Sequence, residues 1–217
     1  MKRIIFGLTD LAEVLFYELN SAGVDVDAFC ANEKYIKVTE HLGKPVFAYE
    51  KLRSQYSVDE EIGIYLCIGY NKMNESRKIL FEEIKAAGYK VLSFVHPGAL
   101  VMTDKIGEGC LVFEQAVIGP YTEVGDANIF YPKSMVAHHS TVGNYNFFAI
   151  SCSVAGHVTV KNNCFIGNNA STKDGICIAD YTLAGAGACL TTDTEPYQCI
   201  APARSAVLEK HKSTDFL

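Results

Sequence analysis

The stretch IGEGCLVFEQAVIGPYTEVGDANIF, residues 106–130, returns a large apolar side chain every six positions, at Ile106, Val112, Ile118, Val124 and Phe130. The period continues without a slip through Val136, Val142, Phe148, Val154, Val160, Ile166, Thr172, Ile178, Ala184 and Leu190. An α-helix repeats at about 3.6 residues and a strand at about 2, so neither accounts for a period of six. The next position is usually Gly or Ala, as at Gly107, Gly119, Ala137 and Gly167. Four places after each aliphatic stands a small residue, as at Cys110, Ala116, Ser134, Ser140 and Ala170. Together these patterns specify a hexapeptide solenoid. Three hexads close a triangular coil of eighteen residues, with the aliphatic inward and the small residue letting the chain turn. Five coils stacked at the inter-strand spacing rise about 24 Å. The fold expected over residues 98–217 is a left-handed parallel β-helix with a C-terminal tail.

Residues eighteen apart then stack in columns. Leu111, Ile129, Phe147, Phe165 and Leu183 form a column that is apolar throughout, whereas the other two faces are mixed or polar. A continuous apolar stripe on a prism surface reads as an oligomer interface, with a cyclic trimer as its natural closure.

Ahead of the repeats, strands and helices alternate. Residues 3–6 read as strand, 10–22 as helix and 24–30 as strand; 62–68, 71–87 and 89–95 repeat the cycle. Asp10 with Glu13 offers a capping box, and Gly88 a left-handed helix stop. The alternation predicts a Rossmann-like α/β domain over residues 1–97. Its ligand turns would be Gly7-Leu8-Thr9-Asp10 and Gly69-Tyr70-Asn71-Lys72, each leading into a helix N-terminus suited to phosphate. Neither is a GxGxxG, so a dinucleotide is not indicated.

Composition narrows the partners. A net charge of −6 with no basic cluster argues against nucleic acid and against an anionic membrane surface. Asp10 and Glu13 interrupt the apolar start and no cleavage site follows, which points to a cytoplasmic protein. None of the eight cysteines falls in a CxxC pair, as expected of buried, reduced thiols that hold no metal.

Of six histidines, three lie in the repeats. His138 and His139 fall in a turn between two faces. One coil on, Gly156 stacks over His138 and His157 over His139, so an imidazole faces a bare glycine whose N–H is placed to serve an oxyanion. Acetyl transfer needs a base of near-neutral pKa and donors for the tetrahedral oxyanion. The run Ala184-Gly185-Ala186-Gly187-Ala188 offers a smooth edge of backbone amides for a pantetheine arm.

These motifs are VAHHSTVG (136–143), VAGHVTV (154–160), CFIGNNAS (164–171), IADYTLAGAGA (178–188) and APAR (201–204). In this order they resemble the sialic acid O-acetyltransferase and bacillosamine N-acetyltransferase family of nucleotide-sugar acyltransferases. The resemblance covers almost the whole chain. It implies acetyl-CoA as co-substrate, no metal cofactor, a nucleotide-linked sugar of surface-glycan synthesis as acceptor, and a homotrimer with active sites between subunits. It makes His138 the general base and sets Gly156 beside the thioester, with Ala186 and Arg204 along the CoA. It also puts the sugar nucleotide on the turns holding Gly7, Thr9, Asp10, Asn71 and Lys72. Two positions depart from the family pattern: His139 stands where many relatives have an acidic residue after the base, leaving His139 to orient His138 or share its role. Phe147 stands where many have a second histidine toward the thioester or CoA arm.

Two other readings use the same residues. A metal-dependent lyase would draw on His139 and His157, about 5 Å apart on adjacent coils, with His138 nearby. A binding protein that has kept the fold without catalysis would account for Phe147.

Overall fold

The computed structural model describes residues 1–203 apart from Val58. Arg204 therefore lies outside the described residues.

The N-terminal part is a six-stranded sheet in the order β3-β4-β2-β1-β5-β6. Its strands are β1 (Lys2–Phe6), β2 (Ala28–Ala31), β3 (Glu40–His41), β4 (Lys44–Ala48), β5 (Ile62–Leu66) and β6 (Lys90–Val91). All neighbours are parallel except the edge hairpin β3–β4. Because strand side chains alternate, Ile5, Phe29 and Tyr65 face helix α1 (Asp10–Ser21) and meet its Leu11, Ala12, Leu15 and Leu19. Ile4, Phe6, Ile64 and Leu66 face the other way and pack with Phe81 and Ile84 of α2 (Glu75–Ala86).

Both helix starts differ from the sequence reading. Thr9 is the N-cap of α1 and makes no side-chain capping bond, so the Asp10–Glu13 capping box is not formed. The two carboxylates instead sit in the first turn, where the helix dipole favours them. Helix α2 begins at Glu75 rather than near Asn71, because Lys72, Met73 and Asn74 all take left-handed backbone angles, φ 51°, 51° and 65°. Gly88 does end α2 in the left-handed region, at φ +80°, with its N–H on the Lys85 carbonyl.

The repeats wind into a three-sided parallel β-helix with the eighteen-residue register expected. Leu111, Ile129, Phe147, Phe165 and Leu183 pair in sequence up one face, and Val117, Met135, Ser153, Ser171 and Cys189 up another. The repeating aliphatics fill the interior, with Val112, Ile118, Phe130, Val136, Phe148, Val154 and Ile166 fully buried. The first strand of the solenoid is Phe94–Val95, which pairs with Leu111–Val112 ahead of the residue where the repeats become legible. The last coil is shortened: Leu183 pairs with Cys199.

Corners turn at a different residue from the one the pattern suggested. Three places after each aliphatic, at Gln115, Tyr121, Ala127, Lys133, His139, Tyr145, Ser151, His157, Asn163, Asn169 and Tyr181, φ lies between 50° and 62°. The small residue directly after the aliphatic has another task. A Cβ at Gly119 would lie 2.7 Å from the His138 nitrogen of the next coil, and one at Gly167 2.7 Å from Ala184 O, so smallness there admits the neighbouring backbone.

The apolar stripe is not a free oligomer interface. Leu111, Ile129 and Phe147 are buried in one cluster with Ile5, Leu11, Leu15 and Phe29, so the N-terminal sheet and α1 cover them within the same chain. Phe165 and Leu183, further along, are half-buried.

A buried arginine fastens the two parts. Arg77 of α2 is fully buried; its Nε donates to Ala127 O, Nη1 to Ile68 O and Gly69 O, and Nη2 to Tyr145 O, Asn146 O and Asn74 Oδ1. Burial draws its pKa down to about 9, and the guanidinium stays charged at neutral pH, serving carbonyls of both parts. Asn74 adds a bond to Cys164 O at 3.0 Å, and Asn163 one to Met73 O at 3.2 Å. Replacing the guanidinium strands several buried carbonyls, each costing about 1–3 kcal/mol. Arg77→Met is therefore expected to lower stability by at least about 3 kcal/mol, read as a fall in the urea midpoint.

Candidate active site

One corner of the solenoid gathers three exposed imidazoles. His138 and His139 follow the buried Val136, and His157 belongs to the next coil. The corner is fixed by backbone bonds between coils: His139 N–H donates to Pro120 O at 3.1 Å, and His157 N–H to His138 O at 3.0 Å. Below the surface, Ser140 Oγ donates to Ala155 O at 3.2 Å.

His138 Nδ1 lies 3.0 Å from His139 Nδ1, a hydrogen bond whose direction follows the tautomers. The His139 and His157 rings are stacked, 4.9 Å apart and 17° from parallel, and Tyr121 extends the column beneath His139 at 4.7 Å. The His138 ring stands nearly perpendicular to both. It lies against Gly156, where a Cβ would come within 2.8 Å of His138 Cε1. The Gly156 N–H is engaged: it donates to Asp174 Oδ1 at 3.1 Å, where the sequence reading had left it for an oxyanion. What Gly156 supplies in this arrangement is room for the imidazole. Asp174 stacks one coil above Gly156, a column readable from the eighteen-residue period.

A second corner carries a groove of about 260 Å³. Phe147 and Ala186, both placed with the CoA set from the sequence, line it with Tyr70, Tyr131, Ile150, Gly167 and Asn168. Tyr70 packs edge-on against Phe147 at 5.0 Å and Phe165 at 4.9 Å. Burial pushes the Tyr131 phenol up, which keeps it a neutral hydrogen-bonding group.

A larger cavity, about 550 Å³, opens at the C-terminal ends of β1 and β2. Gly7, Thr9 and Asn71 line it, joined by Asn32, Lys34, Tyr35 and Ser76, which the sequence reading did not single out. Asp10 and Lys72 are exposed and are not among the lining residues. Gly7 is required here: its φ is +132° and a Cβ would lie 2.7 Å from Cys67 O. Residues 68–71 separate cavity from groove, with Ile68 and Asn71 lining the first and Tyr70 the second.

The structure thus brings the sequence-derived residues together in three groups: His138, His139 and Gly156; Phe147 and Ala186; and Gly7, Thr9 and Asn71. The first two groups occupy different corners of one triangle. All eight cysteines are unpaired, and burial raises the thiols of Cys110, Cys152 and Cys164 to about 12, which makes them inert.

Solved structures share this fold over nearly the whole chain. The acetyltransferase domain of PglB from Neisseria gonorrhoeae, in complex with acetyl coenzyme A, matches with a TM-score of 0.80 at 20% identity, covering 93% of this chain and 98% of that one. PerB from Caulobacter crescentus, in complex with CoA and GDP-perosamine, matches with a TM-score of 0.77 at 25% identity over 89% and 90% of the two chains. This is the fold of sugar acetyltransferases. WeeI from Acinetobacter baumannii has it too, with a TM-score of 0.76 at 19% identity over 92% and 95%. No protein-family model and no curated protein matches the sequence. Among the described residues, no helix is long and apolar enough to cross a membrane.

The contact between His138 and Gly156 is open to a direct check. In Gly156→Ala the added methyl must push the imidazole aside, so the ring proton shifts of His138 in an NMR spectrum should move while the thermal midpoint stays close to that of the parent.

Proposed function

We propose that the protein is an acetyltransferase that moves acetyl from acetyl-CoA to an amino or hydroxyl group of a nucleotide-linked sugar. The observation that carries the reading is the His138 imidazole, laid on Gly156 and hydrogen-bonded through Nδ1 to His139. When the His138 Nδ1–H donates to His139 Nδ1, the lone pair of His138 sits on Nε2, the atom that must act as base. His139 thereby takes the orienting part that an acidic neighbour plays elsewhere.

The reaction follows from that tautomer. Nε2 takes the proton from the attacking amine or hydroxyl as its nitrogen or oxygen bonds to the thioester carbon. The tetrahedral intermediate collapses by breaking the carbon–sulfur bond, and the proton on Nε2 passes to the departing thiolate, giving CoA and the acetylated sugar. Nothing in this sequence consumes a metal or a redox equivalent.

The likeness to chains that hold acetyl-CoA, CoA and GDP-perosamine supports both substrates. In this reading the Phe147 and Ala186 groove takes the CoA arm, which the resemblance also assigns to Arg204, and the Gly7, Thr9 and Asn71 cavity takes the sugar nucleotide, with Asp10 and Lys72 at its margin. Left-handed winding of the solenoid and a Rossmann-like N-terminal domain belong to the same reading.

A homotrimer completes it. Base and groove lie at different corners of one triangle, so a single chain does not bring His138 to a thioester in the groove. Three copies around an axis would set the His138 corner of one against the Ala186 groove of the next.

In acetyl-CoA-dependent assays against UDP-, GDP- and dTDP-linked amino sugars, His138→Asn should lower turnover at least about a hundredfold, with little change in the KM for acetyl-CoA. Near-normal turnover of that variant would move the base to His139; no turnover by the parent on any such sugar would sink the reading.

A further inference from the structure

The His138, His139 and His157 side chains each offer a ring nitrogen, and these three nitrogens lie within 4.8 Å of one another. A tetrahedral zinc ion holds imidazole nitrogens at about 2.0–2.1 Å, which sets two such nitrogens about 3.3 Å apart. The His138 and His139 Nδ1 atoms, at 3.0 Å, fall a few tenths of an ångström short of that spacing. Two stacked rings and a third perpendicular to them each bring one nitrogen to this corner. Rotation about the side-chain bonds would turn all three toward one ion.

The backbone keeps the ligands in place. His139 and His157 both hold left-handed angles, φ 55° and 56°, and the bond from His157 N–H to His138 O ties the two coils together between the rings.

We propose that these three histidines bind a divalent first-row transition ion with a preference for imidazole, and that this ion inhibits the enzyme. Three neutral imidazoles suit zinc, copper and nickel, whereas magnesium and calcium require oxygen ligands. Binding through His138 Nδ1 breaks its hydrogen bond to His139 and leaves the single ring proton on Nε2. The atom that must accept the substrate's proton then has no free lone pair. The inhibitory part rests on the acetyltransferase reading; the binding part does not.

His157 separates the two, since it is a ligand to the ion and has no task in proton transfer. Tag-free protein stripped with a chelator is titrated with zinc in competition with a chromophoric chelator, and acetyl-CoA consumption is followed across the same zinc range. The parent is expected to bind one zinc per chain and to lose turnover as the site fills, while magnesium does neither. His157→Ala, with His157→Gln as a second variant and circular dichroism as the check on folding, should bind zinc at least about tenfold more weakly. Both variants should keep the turnover of the stripped parent and lose its sensitivity to zinc.

Absence of stoichiometric zinc, or unchanged affinity in both His157 variants, would overturn the site. Turnover that falls on chelation and returns with zinc would overturn the inhibitory role, as would turnover indifferent to a filled site. Stoichiometric binding that depends on His157 in a protein without acetyl transfer would uphold the site and remove the function proposed above.

Discussion

At successive corners of the solenoid from Ala127 to Tyr181, a residue with left-handed backbone angles directs its N–H at a carbonyl of the coil before it. His157 N–H meets His138 O, Tyr145 meets Asp126, Ser151 meets Pro132 and Asn169 meets Ile150, all at 2.8–3.1 Å. For a residue with a Cβ these angles cost about 1–2 kcal/mol. The bond between coils gives each such N–H a partner that the corner would otherwise leave unmet. Asp126, Asn144, Asn162 and Asp180 supply further corner bonds, each side chain accepting an N–H from the coil before it. Residues eighteen apart therefore keep one place, and whatever side chains occupy a corner become a column.

The chemistry on offer is a property of those columns. Tyr121, His139 and His157 are one; His138, Gly156 and Asp174 are the next. The first stacks aromatic rings, and the second alternates an imidazole, a gap and a carboxylate. The proposed catalysis and the proposed metal binding both draw on this corner, and they need opposite tautomers of His138.

The other half of the molecule depends on how the N-terminal part is seated. Apolar area on the solenoid's Leu111 face closes the core that contains α1, while Arg77 ties α2 to the backbone of two successive coils. The left-handed run at Lys72, Met73 and Asn74 brings the preceding loop onto the solenoid. That docking sets Tyr70 against Phe147 and Phe165 and puts the cavity next to the groove. Arg77, through Ile68 O and Gly69 O, thus holds the loop that lines both pockets.

The six-residue period was enough to specify the coil, its register, the inward aliphatics and the pairing of His138 with Gly156, because a solenoid turns sequence distance into spatial distance by a fixed rule. Asp174 above Gly156 was legible by the same rule. The rule does not say what covers a face from outside. The Leu111, Ile129 and Phe147 stripe was visible, but its partner, the sheet and α1 of the same chain, lies a hundred residues away in sequence and outside any period. Nor does periodicity report ring orientation or hydrogen-bond use: it put the three imidazoles near one another, but the Nδ1 bond between His138 and His139 and the engagement of the Gly156 N–H by Asp174 belong to the tertiary structure. The local repeat determined the scaffold and which residues share a column; long-range docking and side-chain rotation decided which of their atoms are free to act.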